Sequence, residues 1–255
     1  MTAQPLPHLL LIHGFPLDHT LWQPNMEALG RVAHVMAPDL LAFDTAEDVP
    51  AVLTMEHFAE QLKAQLDANG IQRTVLCGLS MGGYVALAFL ERWPERVAGI
   101  ILCNTRSIAD TDEAKQGREA TALDALAKGS AVIARAMVPK LLSEQTRSTD
   151  PELAKNVEAM IARQRPEAIA AASRGMALRP DRTHVLRATN TPTLIITGEN
   201  DALMPLPTSE AMAATAPRST LVVLPKAGHL SNMEAADGFN KVMVDFLRVL
   251  AEGEH

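Results

Sequence analysis

Ser80 stands in Gly78-Leu79-Ser80-Met81-Gly82, with Gly83 following, directly after the apolar run Thr74-Val75-Leu76-Cys77. A strand that turns abruptly into a helix puts the central Ser in a strained conformation, and small flanking residues relieve the crowding. The hydroxyl is then held above a helix N-terminus, where the Met81 N–H can meet a developing oxyanion. A serine at neutral pH is a poor nucleophile, so it needs a base, and the base needs an orienting carboxylate. The chain order that accompanies such an elbow is Ser, acid, His. Asp201 ends Gly198-Glu199-Asn200-Asp201, and His229 ends Ala227-Gly228-His229, each just past a β-like run. In this reading Ser80 attacks, His229 moves its proton, and Asp201 holds the imidazole. Glu199 and Asp237 are rival acids; Asp201 is preferred because its position lets the loop reach outward. The second oxyanion donor is expected from His13-Gly14-Phe15, where Gly14 permits close approach and the Phe15 N–H faces the same spot. His13 itself reads as a hydrogen-bonded structural residue.

These residues need strand ends to converge on. Fully apolar Leu9-Leu10-Leu11-Ile12 reads as a strand buried on both faces, and similar runs follow at 32–36, 74–77, 97–103, 193–196 and 220–224. Helical patterns lie between them at 55–69, 81–92, 208–215 and 233–250. Alternation of this kind implies a mostly parallel sheet covered by helices, with ligands at the carboxyl ends of the strands. Between about 107 and 188 the rhythm changes to Ala-, Leu- and charge-rich helical sequence. Asp110 is a candidate cap for a helix running toward Lys128, with Gly129 beyond its end, and Pro151 and Pro166 suit first helical positions. The expected division is a core of residues 1–106 and 189–255 and a helical lid of three to five helices over 107–188. A separate helical domain with its own core is the alternative. Trp22 is expected to anchor the helix after it.

The 255 residues are 47% hydrophobic and 21% charged, an ordinary globular balance that excludes a disordered or collagen-like chain. With 23 Lys and Arg against 30 Asp and Glu, the formal charge of −7 offers no basic face for nucleic acid. Cys77 and Cys103, both in apolar runs, suit buried thiols in a reducing compartment. The first seven residues make a poor signal peptide, and no apolar run approaches the roughly 18 residues of a membrane span. A cytoplasmic protein without membrane association, monomeric or homodimeric, is expected.

His13-Gly14-Phe15, Pro38-Asp39-Leu40, the Ser80 elbow, Asp201 with Pro205, and His229 with Glu234 together resemble the α/β-hydrolase fold, from about Leu9 to Leu250. Through Leu79-Ser80-Met81-Gly82-Gly83 and Asn104-Thr105 the chain looks like the small carboxylesterase, lactonase and 3-oxoadipate enol-lactonase group. The resemblance implies a serine hydrolase that cleaves small-molecule esters or lactones through an acyl-enzyme on Ser80, with no cofactor and no metal. Enol-lactonase-like and carrier-protein methyl esterase activities remain alternatives, as does a slow or non-catalytic receptor on the same scaffold. Two departures stand out. Only about eight residues precede Leu9, so the sheet is expected to lack an antiparallel edge and to be six-stranded and parallel. After Pro38-Asp39 the family commonly has Arg-Gly-x-Gly, whereas this chain has Leu40-Leu41-Ala42-Phe43-Asp44.

With 12 Met against 4% aromatics, an aliphatic pocket for a small or medium acyl group is expected, its wall drawn from Phe15, Met81, Met137, Met176 and Met204. Arg106, just past Asn104-Thr105, either meets a substrate carboxylate or pairs with Asp110 or Asp112 at the hinge of the insertion.

Overall fold

The computed structural model describes residues 6–43 and 48–252. Six strands form one sheet: β1 (His8–Ile12), β2 (His34–Met36), β3 (Thr74–Leu79), β4 (Val97–Cys103), β5 (Thr193–Gly198) and β6 (Ser219–Leu224). Their order is β2-β1-β3-β4-β5-β6, and every neighbouring pair is parallel. β3 and β5 are buried at every position, and β4 nearly so, because helices cover both faces. On the core these are α1 (Gln23–Gly30), α2 (Met55–Ala68) and α3 (Met81–Arg92) before the insertion. Residues 107–188 then supply α4 (Asp112–Lys128), α5 (Ser130–Leu141), α6 (Glu144–Thr149), α7 (Pro151–Ala162), α8 (Pro166–Leu178) and α9 (Thr183–Ala188). The chain returns through α10 (Leu206–Thr215), α11 (Ser231–Glu234) and α12 (Ala236–Glu252). Phe239, Met243 and Leu247 of α12 recur every four residues and are its buried face.

Several expected boundaries move for local reasons. β2 begins at His34 because the Val32 and Ala33 N–H groups close the end of α1 on the Leu29 carbonyl. The expected helix over 233–250 breaks at Ala235, whose φ of −131° leaves the helical region and separates α11 from α12. The insertion has six helices rather than three to five; α6 and α9 are six residues each, too short to register a hydrophobic period. Thr111, not Asp110, caps α4 by accepting from the Ala114 N–H. The Asp110 carboxylate is drawn instead to Arg179 and Arg118, at 2.6 and 3.1 Å. After Asp39 the chain turns tightly, with Phe43 N–H on the Leu40 carbonyl and Ala42 at φ 68°; Asp44 lies outside the described residues.

The insertion is tied to the core at several points. Arg163, between α7 and α8, forks onto Asp18 after β1 at 2.8 Å through Nε and Nη2. Arg182 pairs with Glu56 of α2 and Glu91 of α3. The Leu141 carbonyl ending α5 accepts from His229 and Leu230 N–H, and Glu234 accepts from Ser143 N–H and the Thr146 hydroxyl. The helices therefore sit over the carboxyl ends of the strands, held to the loop that carries His229.

Candidate active site

β3 ends at Leu79 and α3 begins at Met81, leaving Ser80 alone to turn the chain with φ 56° and ψ −113°. A non-glycine residue there stores about 1–3 kcal/mol of strain. The surroundings hold it. Ser80 N–H donates to the Cys103 carbonyl at 2.9 Å, and the Ser80 carbonyl accepts from Gly83 N–H at 3.0 Å and the Thr105 hydroxyl at 2.7 Å. Two flanking glycines are required by contact: a Cβ on Gly78 would lie 2.6 Å from Gly83 N, and one on Gly82 2.8 Å from the Ile12 carbonyl carbon. Gly14 faces the same elbow, since a Cβ there would sit 3.4 Å from the Ser80 Cβ.

Asp201 and His229 meet although they lie on different strand ends. His229 Nδ1 is 3.0 and 2.9 Å from the two Asp201 oxygens, and both side chains are almost wholly buried. Asp201 also accepts from Leu203 N–H, Met204 N–H and Asn104 Nδ2, each at 2.8–2.9 Å. Burial alone would raise its pKa, but the His229 charge and hydrogen bond, with Asn104 and the Met204 amide, outweigh burial and hold the carboxyl below its ordinary value. An ionised Asp201 places the imidazole proton on Nδ1 and leaves the Nε2 lone pair free. The rival acids are elsewhere: Glu199 accepts from the exposed Lys226 N–H, and Asp237 opens α12.

Asn104, which sequence reasoning treated only as the entrance to the insertion, holds this pair in place. Its backbone is left-handed (φ 47°), and its amide donates to Asp201 and, at 3.2 Å, to the Gly228 carbonyl. The Ser231 hydroxyl donates back to Asn104 Oδ1 at 2.5 Å, which fixes the amide orientation. The one available signal was an Asn at a strand end, where a left-handed turn suits it. His13 is structural, as expected. Leu40 N–H donates to its Nε2 and its Nδ1 faces the Gly14 carbonyl, both at 3.0 Å, while burial lowers its pKa and keeps the ring neutral.

Ser80 and His229 open onto one cavity of about 190 Å³, also lined by Phe15, Tyr84, Arg106, Met137, Met176 and Met204. Arg118, Thr121, Lys140, Leu141 and Leu203 complete the wall and were not anticipated. Met81 is a correction: its side chain is fully buried beneath the elbow and lines nothing, because the first residue of α3 points into the core. Arg106 pairs with neither Asp110 nor Asp112, since Asp110 is taken by Arg118 and Arg179 and Asp112 by Lys115. A larger groove of about 780 Å³ runs between Leu41 and α2. Its histidine, His57, is used in capping α2, and among the described residues no Ser or Cys lines it, so the candidate nucleophile and base meet in the smaller cavity. Asp18, His19 and Asp39 also cluster, but Arg163 already neutralises Asp18 and His19 pairs with Asp39.

A strained serine at a strand–helix elbow, backed by a buried carboxylate–imidazole pair under a parallel sheet's edge, defines a hydrolase of one architecture. The chain belongs to the alpha/beta hydrolase fold family, which it matches over residues 7–236. A thermophilic esterase from Thermogutta terrifontis, solved with malate bound, superposes with a TM-score of 0.94 at 42% identity, covering 98% of this chain and 92% of that one. The 3-oxoadipate enol-lactonase 1 of Acinetobacter baylyi is 26% identical over 95% of this chain and 89% of its own length. The dihydrolipoyllysine-residue acetyltransferase component of the acetoin cleaving system of Pseudomonas putida is 31% identical over 94% of this chain, which spans 63% of that longer protein. Hydrolase chemistry is what the fold, the esterase and the enol-lactonase support. No helix among the described residues is long and apolar enough to cross a membrane.

Proposed function

We propose that this chain is a serine hydrolase that cleaves carboxylic esters or lactones of small to medium acyl groups through an acyl-enzyme on Ser80. The observation that carries the reading is the buried Asp201–His229 pair, whose imidazole shares one cavity with a strained Ser80. Ser80 Oγ attacks the carbonyl carbon as its proton passes to His229 Nε2, and the imidazolium is stabilised by ionised Asp201. The oxyanion is received by the N–H of Met81, in the first turn of α3 where no intrahelical acceptor exists, and by the N–H of Phe15 beside Gly14. Collapse expels the alkoxide, which takes the proton from His229; water then repeats the sequence and frees Ser80. Residues 107–188 act as the lid, and a cavity of about 190 Å³ suits a compact substrate, ordinary ligand pockets holding about 300–1,000 Å³. Neither metal nor cofactor takes part in this scheme. The buried thiols of Cys77 and Cys103, 3.8 Å apart, hydrogen-bonded and free of a disulfide, fit a cytoplasmic setting.

The test is turnover of 4-nitrophenyl acetate and butyrate together with fluorophosphonate labelling. Steady turnover with label on Ser80 is expected. A single-turnover burst without steady release would favour the receptor alternative, and equal turnover by Ser80→Ala would overturn the assignment.

A further inference from the structure

A chain with a formal charge of −7 lines its Ser80 cavity with Arg106, Arg118 and Lys140 and, among the described residues, with no carboxylate. Arg118 is committed to Asp110, and that one carboxylate also serves Arg179, so this side of the cavity has a surplus of positive charge. Arg106 has no ion-pair partner among the described residues. Its Nε meets the Met204 sulfur at 3.1 Å, a weak acceptor that leaves the terminal guanidinium nitrogens uncommitted. Tyr84 lines the same wall, is 97% buried by its 3% exposure, and its hydroxyl has no hydrogen-bond partner. The Arg179 guanidinium lies 4.0 Å from the centre of the Tyr84 ring and braces it. A buried hydroxyl without an acceptor is costly unless a ligand supplies one, and the half-buried Arg106 keeps its terminal nitrogens free to meet the same ligand.

We propose that Arg106 and Tyr84 form a carboxylate-binding subsite, so that the substrate is an ester or lactone carrying a free carboxylate, such as a half-ester of a short dicarboxylic acid. The guanidinium fork matches a carboxylate in two hydrogen bonds, and the Tyr84 hydroxyl adds a third donor. Lys140, exposed at the mouth, adds attraction for an approaching anion. This assignment rests on the serine hydrolase reading only for which carbonyl faces Ser80; the anion site itself stands on the cavity.

The decisive pair of substrates is mono-4-nitrophenyl glutarate and 4-nitrophenyl valerate, which share a leaving group and differ by the terminal carboxylate. Wild type should favour the glutarate by about tenfold or more in kcat/KM, one charge-assisted contact being of that size. In Arg106→Gln the glutarate-to-valerate ratio should fall toward one, chiefly through KM, and Tyr84→Phe should lower it by a few fold. A ratio near one in wild type, or one that Arg106→Gln leaves unchanged, overturns the subsite. A separate readout uses glutarate itself as the ligand: it should raise the melting temperature of wild type and not of Arg106→Gln. Failure of both esters with a retained glutarate shift would sink the hydrolase reading and keep the subsite; turnover without shift or preference would do the reverse.

Discussion

The His229 side of the Ser80 cavity and its Arg106 side differ in how much of their polar chemistry is already committed. On the first, Asp201 accepts from His229, Asn104, Leu203 and Met204, Asn104 is locked by Ser231, and the glycines of the elbow leave no room for a side chain. On the second, Arg106 has no ion-pair partner among the described residues, the Tyr84 hydroxyl lacks an acceptor, and the apolar surface is Met137, Met176 and Met204. In the proposed reaction, the groups that perform the same step for every substrate are the ones held by several bonds each. The groups proposed to meet the variable part of a substrate are the ones left to be completed by it, and thioethers can repack around different shapes.

The largest effect expected on the committed side is from Ser80→Ala, which should lower kcat/KM by about ten-thousand-fold or more while leaving the melting temperature close to wild type. Steady-state ester kinetics and a melt on the same preparation check both halves. The ion pairs that brace the Arg106 side give the next largest effect. Asp110→Asn should cost about 3 kcal/mol, because it strips a buried partner from Arg179 and Arg118. Burial opposes ionisation of Asp110, yet the hydrogen bond from Arg179 and the charges of Arg118 and Arg179 prevail and its pKa is lowered. A carboxyl with a lowered folded-state pKa stabilises the fold above its unfolded pKa and loses that contribution as pH falls through the folded value. Wild type should therefore lose melting temperature below about pH 4, the unfolded carboxylate value, and Asp110→Asn should show a flatter acid slope from a lower start. Equal slopes in the two proteins would count against the ion-pair account.

Smaller still, Asn104→Ala should reduce kcat by about 10- to 100-fold, as a buried polar contact of about 1–3 kcal/mol to the acid is lost. Ser231→Ala should produce a weaker change of the same kind, and an unchanged kcat in both would remove Asn104 from any positioning role. Smallest of all, Met137→Leu and Met176→Leu should cost less than about 1.5 kcal/mol in stability. They should shift the preferred acyl length in a series of 4-nitrophenyl esters by a few fold; an effect on kcat as large as that of Asn104→Ala would erase the distinction between the two sides.

Much of this was legible beforehand because its signals are local. Gly78, Ser80 and Gly82 announce an elbow through size alone, and apolar runs ending in Gly or Asp mark strand ends where chemistry gathers. Asp201 and His229 were readable through their order and their places after β5 and β6. Asn104 was not, since its partners Asp201, Gly228 and Ser231 are 97 to 127 positions away in the chain. Asp110 misled for a related reason: locally it is a good helix cap, but Arg179, 69 residues on, competes for the same carboxylate and wins.

The amino-acid sequence by itself determined the parallel α/β architecture, the helical insertion and the identity of the strand-end Ser, Asp and His, because periodicity and turn chemistry act over a few residues. The tertiary structure alone decided which carboxylates are used up in ion pairs and which cations are left over. Pairing depends on which distant side chains folding brings within a few ångströms, so a net charge of −7 is compatible with a cavity lined by positive charge.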